Sequence, residues 1–153
     1  MDRIVKFKGY SEIYERWIKG FYVKHPDGTC YISETYKSGQ WVEVVSESVG
    51  QYVGTDDLNK VEVYEGDLVK YANFVNWKDF NGLEDARNLG LVIFNNSGYN
   101  CKYGFCIKMI ELVYTSTHYH VSKIEPMNIT NAAWGLEVVG NIYSDKLKDR
   151  LTQ

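Results

Sequence analysis

The fold is decided by the stretch Val49-Gly-Gln-Tyr-Val-Gly54, which continues after a polar connection as Val63-Tyr-Glu-Gly-Asp-Leu-Val69. A second stretch of the same character, Leu136-Glu-Val-Val-Gly-Asn-Ile-Tyr143, lies near the C-terminus. Each places glycine between β-branched and aromatic residues, which favour extended strands. Because glycine adopts positive φ at little steric cost, these stretches predict strands that bend sharply and pair again.

Composition also favours a mainly β fold. The chain has 153 residues, with thirteen tyrosines, six phenylalanines and four tryptophans but only four alanines. Alanine is the best helix former and flat rings pack well on half-buried sheets, so this balance disfavours a helical bundle. The length suits one hydrophobic core, and we predict a single domain over residues 1–153.

Alternation and turn residues predict the strands. In the first, over residues 3–8, Val5 and Phe7 are opposed by Lys6 and Lys8. Pro26-Asp27-Gly28 predicts a hairpin, because proline presets the first turn angle and glycine accepts the closing one. The strands predicted after the first lie at 17–23, 29–33, 41–45, 49–53, 61–64, 68–71, 91–94, 105–114, 118–124 and 134–143.

Short strands at this spacing predict a rolled sheet or small barrel with extra strands. Residues 76–88 have the weakest pattern, and we interpret them as an insertion or loop. At the C-terminus, Ser144 and Asp145 are predicted to cap a short helix with Leu147 and Leu151 on one face.

Charge and cysteine content limit the function classes. The net charge of −3 gives no overall attraction to nucleic acid or to an anionic membrane. The N-terminus lacks the apolar core of a secretory signal, and no window approaches the roughly 18 apolar residues of a spanning helix. Three cysteines, an odd number, fit free thiols in a reducing compartment. We therefore expect a soluble, cytosolic protein.

The glycine-containing stretches resemble the YopX family of bacteriophages, prophages and related mobile elements. The similarity extends to residues 4–9 and to Trp17-Ile-Lys-Gly-Phe-Tyr-Val23. The family commonly has threonine where this chain has Val53, and Leu-x-Asp where it has Thr55-Asp56-Asp57. The resemblance implies a mostly β fold with a small rolled barrel of the Src-homology type, in the cytosol of a bacterial host. It implies no enzyme, because no activity is assigned to the family.

Two carboxylates, Glu65 and Asp67, flank Gly66. In a regular strand they would share one face. A general acid–base pair needs one carboxyl group in an apolar pocket, whereas turns are usually solvated. We interpret the motif as a turn whose carboxylates stay in water or accept backbone N–H groups, and we predict no catalytic or cofactor-binding residues.

A zinc site is an alternative reading of four residues. These two cysteines and two histidines have the spacing Cys-x4-Cys-x11-His-x-His, and together they could supply the four ligands of a tetrahedral zinc site. The spacing departs from the common finger patterns, and buried cysteines usually pack as small hydrophobes, so we predict no metal site. The residues concerned are Cys101, Cys106, His118 and His120.

Two groups of residues could bind single-stranded nucleic acid through an aromatic, basic sheet face. The first is Lys19, Tyr22 and Lys24, and the second is Lys102, Tyr103 and Lys108. The acidic balance of the chain opposes this reading. We predict a non-enzymatic binding or assembly module that forms homo-oligomers, because large aromatic rings suit interfaces. Binding of nucleic acid or a small anionic ligand is the alternative.

Overall fold

Eleven β-strands account for most of the residues that the structure describes. The computed structural model describes residues 5–35, 39–71, 88–95, 104–111, 127–128 and 135–144. Its strands are β1 (Phe7–Ser11), β2 (Arg16–Lys24), β3 (Cys30–Ser33), β4 (Val42–Val44), β5 (Gly50–Asp56), β6 (Glu62–Tyr64), β7 (Asp67–Tyr71), β8 (Asn88–Asn95), β9 (Gly104–Glu111), β10 (Met127–Asn128) and β11 (Glu137–Asn141). Within this part of the chain, no helix is long and apolar enough to span a bilayer.

The strands form two sheets, and the chain divides into two compact units. The six-stranded sheet has the order β4-β3-β2-β1-β5-β6 and the five-stranded sheet the order β10-β9-β8-β7-β11. The first unit comprises Met1–Gly54 with Tyr64–Gly66, and the second comprises Thr55–Val63 with Asp67–Gln153. The chain thus passes between the units three times, at 54/55, 63/64 and 66/67.

The sheet of the first unit is rolled. The backbone oxygen of Tyr10 on β1 accepts a 2.9 Å hydrogen bond from the backbone N–H of Val45, the residue that follows β4. Tyr10 N donates to Ser48 Oγ at 2.7 Å. The roll encloses a core made by Ile18, Cys30, Ile32 and Val44, with Phe7, Tyr22, Val42 and Val49 packed against it. Burial of a valine or isoleucine side chain contributes about 1.5–3 kcal/mol, so this cluster stabilises the unit.

The second unit contains an antiparallel sheet with an irregular last strand. Buried residues alternate along β7, with Asp67, Val69 and Tyr71 all facing inward. In β11 the register with β7 shifts between Val138 and Gly140, which is a β-bulge. The bend predicted near Gly140 is therefore present. The fully buried apolar side chains of this unit include Val63, Val69, Val92, Ile107 and Leu136.

The mainly β, rolled-sheet prediction is confirmed. The predicted Pro26-Asp27-Gly28 hairpin is also present, with φ of 96° at Gly28 and a 2.8 Å hydrogen bond from His25 N to Thr29 O. Among the described strands, the rolled sheet ends at β4 and β6 and is not closed by a continuous ladder. The single-domain assignment stays a prediction.

The C-terminal helical segment begins earlier than predicted. Residues 142–144 are already helical, and Asn141 Oδ1 accepts a hydrogen bond from Tyr143 N at 2.9 Å. This is the side-chain bond of an N-cap, so Asn141 caps the helix and Ser144 does not. The predicted face of Leu147 and Leu151 lies outside the described residues, as do the strand predicted at 118–124 and most of the loop at 76–88.

Candidate functional site

The first sheet has an inner face that packs on the core and an outer face that carries lysines. On β1, Gly9 faces inward, where an added Cβ would lie 2.9 Å from Val44 Cγ2. The neighbouring Lys8 points to the opposite side because side chains alternate along a strand. On β2, the buried Ile18 likewise leaves Trp17 and Lys19 on the outer face. The period-two pattern of β1 and β2 therefore places lysine and aromatic side chains on one surface.

Lys8 and Lys19 lie directly opposite each other on β1 and β2. Two like charges at such a pair repel each other, which costs a few tenths of a kcal/mol to about 1 kcal/mol. Both ammonium groups lie over the ring of Tyr64, at 4.9 Å from its centroid for Lys8 Nζ and 5.5 Å for Lys19 Nζ. Each cation–π contact contributes about 0.5–1 kcal/mol, enough to offset that repulsion.

Further lysine–ring contacts extend this surface. Lys8 Nζ also lies 5.0 Å from the ring of Trp17, and Lys6 Nζ lies 4.4 Å from the ring of Tyr52. The Tyr52 and Tyr64 rings are themselves in contact, with centroids 5.6 Å apart. We call the set Lys6, Lys8, Trp17, Lys19, Tyr52 and Tyr64 the lysine–aromatic surface. Its cations are ordered by the rings beneath them.

Gly50 allows Tyr64 to reach this surface. Gly50 pairs with Lys8, and a Cβ added to it would lie 2.1 Å from the backbone oxygen of Glu65. Only a residue without a side chain permits so close a backbone approach. A hydrogen bond of 2.9 Å from Glu65 N to Gln51 O fixes the segment there. Gly50 thus provides space for a crossing backbone segment, whereas the sequence suggested only a bend.

A sequence comparison assigns the family. The family model described as YopX protein matches residues 6–147, which is most of the chain. The chain belongs to the YopX family. The matched region contains β1 to β11 from Phe7 onward, and so the whole lysine–aromatic surface of this YopX protein. A comparison with curated proteins found no match.

The first basic–aromatic group predicted from the sequence is divided between the two faces. Lys19 of this YopX protein belongs to the outer face, but Tyr22 packs against the core at 4.9 Å from the ring of Phe7. Lys24 pairs with the buried Cys30 and lies two positions after Tyr22, so it belongs to the same face of β2 as Tyr22 and not to the face of Lys19. Residues at odd and even positions of one strand cannot form a common surface, and this prediction is wrong for Tyr22 and Lys24.

The second group is only partly described. Lys108 is an exposed residue of β9 in the second unit, whereas Lys102 and Tyr103 lie outside the described residues. The sequence analysis did not assign Lys6, Lys8, Trp17, Tyr52 or Tyr64 to a site. The alternation of Lys6 and Lys8 with Val5 and Phe7 in the sequence could have indicated that these two lysines share one face of a strand.

The cysteines and histidines named for zinc are mostly outside the described residues. Of the four, only Cys106 is described, and it is fully buried, with its Sγ 3.6 Å from Gly104 O. No cluster of three or more potential metal ligands occurs in the described ranges. In the first unit the buried Cys30 packs with Tyr22, whose hydroxyl lies 3.3 Å from its Sγ. Burial, together with this contact, raises the pKa of Tyr22 to about 12.

The Glu65-Gly66-Asp67 motif forms a turn, as predicted, with φ of 85° at Gly66. The two carboxylates do not share a regular strand, because β6 ends at Tyr64 and β7 begins at Asp67. We expected these carboxylates to stay in water or to accept backbone N–H groups, and Asp67 does not stay in water. Its side chain is fully buried and accepts a 3.0 Å hydrogen bond from Asn141 Nδ2. This bond links the turn motif to the bend motif of the last strand.

Asp57 belongs to the Thr55-Asp56-Asp57 segment compared above with the family pattern, but the sequence analysis gave it no role. Its side chain is buried, and Oδ1 accepts hydrogen bonds from Asn59 N at 2.7 Å and Val61 N at 2.8 Å. Its Oδ2 accepts one from Val138 N at 2.9 Å. One carboxylate therefore holds the loop before β6 and attaches it to β11.

Proposed function

We propose that this YopX protein is a non-enzymatic binding protein of bacteriophage or mobile-element type, and that its ligand in the cytosol of a bacterial host is single-stranded nucleic acid. The observation that carries the proposal is the pairing of Lys8 with Lys19 over the ring of Tyr64. A sheet that places two like charges directly opposite each other concentrates positive potential at one point.

The chemistry of the surface favours a phosphate chain as ligand. The lysine ammonium groups are held by ring contacts, so less side-chain entropy is lost when they bind an anion. Lys19 is an exposed residue and Lys8 a half-buried one, which supports binding of a ligand from solvent. Since the whole chain carries a net charge of −3, attraction is local to this surface and should be sensitive to salt.

A double substitution tests the proposal. Lys8→Gln with Lys19→Gln removes both charges and retains most of each side chain. Fluorescence anisotropy with a labelled single-stranded oligonucleotide should show weaker binding. The slope of log K against log salt should also fall in magnitude by about 1.4, because each phosphate contact on a single strand contributes about 0.7.

Lys24→Gln together with Lys70→Gln is the matched control. It removes the same number of charges from β2 and β7, outside the lysine–aromatic surface. Circular dichroism should confirm that all variants are folded. The proposal fails if the wild-type protein does not bind the oligonucleotide at low salt. It also fails if the control variant loses as much affinity as the Lys8 and Lys19 variant.

Self-association is a second candidate, favoured by the turn between β1 and β2. Ile13 and Tyr14 at this turn are exposed by 73% and 58%, which is unusual for two adjacent apolar side chains. We expect a homo-oligomer in sedimentation velocity at micromolar concentration and a monomer for Ile13→Ser with Tyr14→Ser. A wild-type protein that sediments as a monomer would exclude this assembly.

A further inference from the structure

The outer edge of β11 is covered by residues 57–61, which we call the edge loop. Among the described strands, β11 pairs with β7 and ends the order of its sheet. On its other side, Leu136 O accepts a hydrogen bond from Leu58 N at 3.0 Å, and Val138 N donates to Asp57 Oδ2 at 2.9 Å. The edge loop therefore provides one donor and one acceptor to β11, as an added strand would.

The edge loop is closed by hydrogen bonds between its own residues. Asp57 N donates to Val61 O at 2.8 Å, and Asp57 Oδ1 accepts bonds from Asn59 N and Val61 N. Lys60 has a positive φ of 64°, which a residue with a side chain adopts only where the surrounding contacts impose it. Closure of the loop and coverage of the strand edge thus depend on one carboxylate.

Without this loop, β11 would be suited to pair with a further strand. Its sequence Glu137-Val-Val-Gly-Asn141 contains two β-branched residues, and Val139 is 46% exposed. Backbone groups on such an edge are a template for edge-to-edge association. A second copy of the chain offers the same strand, and two identical strands can pair antiparallel about a twofold axis. The bulge between Val138 and Gly140 is another feature by which proteins interrupt pairing at an edge.

We infer that the edge loop prevents β11 from pairing with β11 of a second copy of the chain, and that the Asp57 carboxylate holds the loop in place. This inference does not depend on the lysine–aromatic surface or on nucleic-acid binding. An ionised carboxylate suits the role because it carries acceptors only. It satisfies the N–H of Val138 without offering a donor through which a ladder of backbone hydrogen bonds could continue.

The test uses Asp57→Asn, in which the amide oxygen can keep the bonds within the loop while the NH2 group faces the N–H of Val138. The outer edge of β11 then becomes available. In sedimentation velocity, the weight-average mass of this variant should rise with concentration to about twice that of wild type, the value for pairing about a twofold axis. Asp56→Asn, at the adjacent exposed position, should sediment as wild type does.

Two added lysines distinguish edge pairing from general aggregation. Val139→Lys places a charge on β11, where it opposes edge pairing. Val23→Lys places the same charge on β2, at a valine of nearly equal exposure, 45% against 46%. In the Asp57→Asn background, Val139→Lys should restore the wild-type mass and Val23→Lys should not.

Three results would overturn the inference. They are a wild-type mass for Asp57→Asn itself, restoration by both lysines, and restoration by neither. Circular dichroism establishes that each variant is folded. If Asp57→Asn does not fold, Asp57→Ser replaces it in the same comparison, because a single hydroxyl oxygen has two lone pairs and cannot accept all three bonds of the carboxylate.

Discussion

Replacing Asp57 should destabilise the second unit more than any neighbouring surface substitution. Its carboxylate accepts three backbone hydrogen bonds, two from the loop before β6 and one from Val138. Hydrogen bonds to a charged group contribute about 1.5–3 kcal/mol each, and the contributions of three that share one residue are not additive. Alanine leaves the three N–H groups without their acceptor, so we expect a loss of about 3–5 kcal/mol in the free energy of unfolding.

Asn at position 57 gives a sharper test, because it differs from Asp by one acceptor. If the amide oxygen keeps the two bonds to Asn59 and Val61, the NH2 group faces the N–H of Val138. Two donors then face each other, and the bond to β11 is lost. We expect Asp57→Asn to cost about 1.5–3 kcal/mol, between the alanine variant and wild type.

The assay combines urea denaturation with hydrogen exchange. Denaturation followed by circular dichroism gives the free energy of unfolding, and exchange should rise in peptides that contain residues 57–61 and 136–141. Asp56→Asn is the control, since the adjacent Asp56 is exposed on β5. A free energy for Asp57→Ala within about 0.5 kcal/mol of wild type, the range of ordinary surface substitutions, would refute the reasoning.

Two further predictions concern glycine and tyrosine. Gly50→Ala should lower the free energy of unfolding by about 1–3 kcal/mol in urea denaturation, because the added Cβ would lie 2.1 Å from Glu65 O. Gly140→Ala is the control and should lower it less, because its Cβ would lie 3.7 Å from Leu68 Cδ1. Burial raises the pKa of Tyr71 from 10.0 to about 12. Its contribution to stability is therefore complete below pH 10 and is lost as pH rises from about 10 through about 12. Tyr71→Phe should make stability less dependent on pH in that window. Equal pH profiles for wild type and Tyr71→Phe would contradict this.

Local sequence patterns predicted much of the fold. Strands β2, β3, β4 and β5 each overlap the predicted ranges, because alternation and turn residues act over a few neighbouring positions. The positive φ of Gly28 and Gly66 follows from the same local chemistry. The N-cap was misplaced because Asn141 also belongs to the bulged strand, so its capping bond is visible only once the end of β11 is known.

The candidate site was less predictable, because it depends on strand register. Lys8 and Lys19 are eleven positions apart in sequence, and only the pairing of β1 with β2 places them side by side. The ring of Tyr64 joins them from a segment far along the chain, through space left by Gly50. The structural role of Asp57 was not predicted for the same reason, since its third hydrogen bond comes from a residue 81 positions away.

The three crossings between units have a consequence for fragments of this protein. A piece ending at Gly54 would include Lys8 and Lys19 but not the ring of Tyr64, so both lysines would lose their cation–π contact with that ring. Conversely, residues 55–63 cannot be deleted without removing Asp57 from the second unit. Neither unit can be separated by cutting a single peptide bond, so a minimal fragment should retain the whole span from β1 to β11.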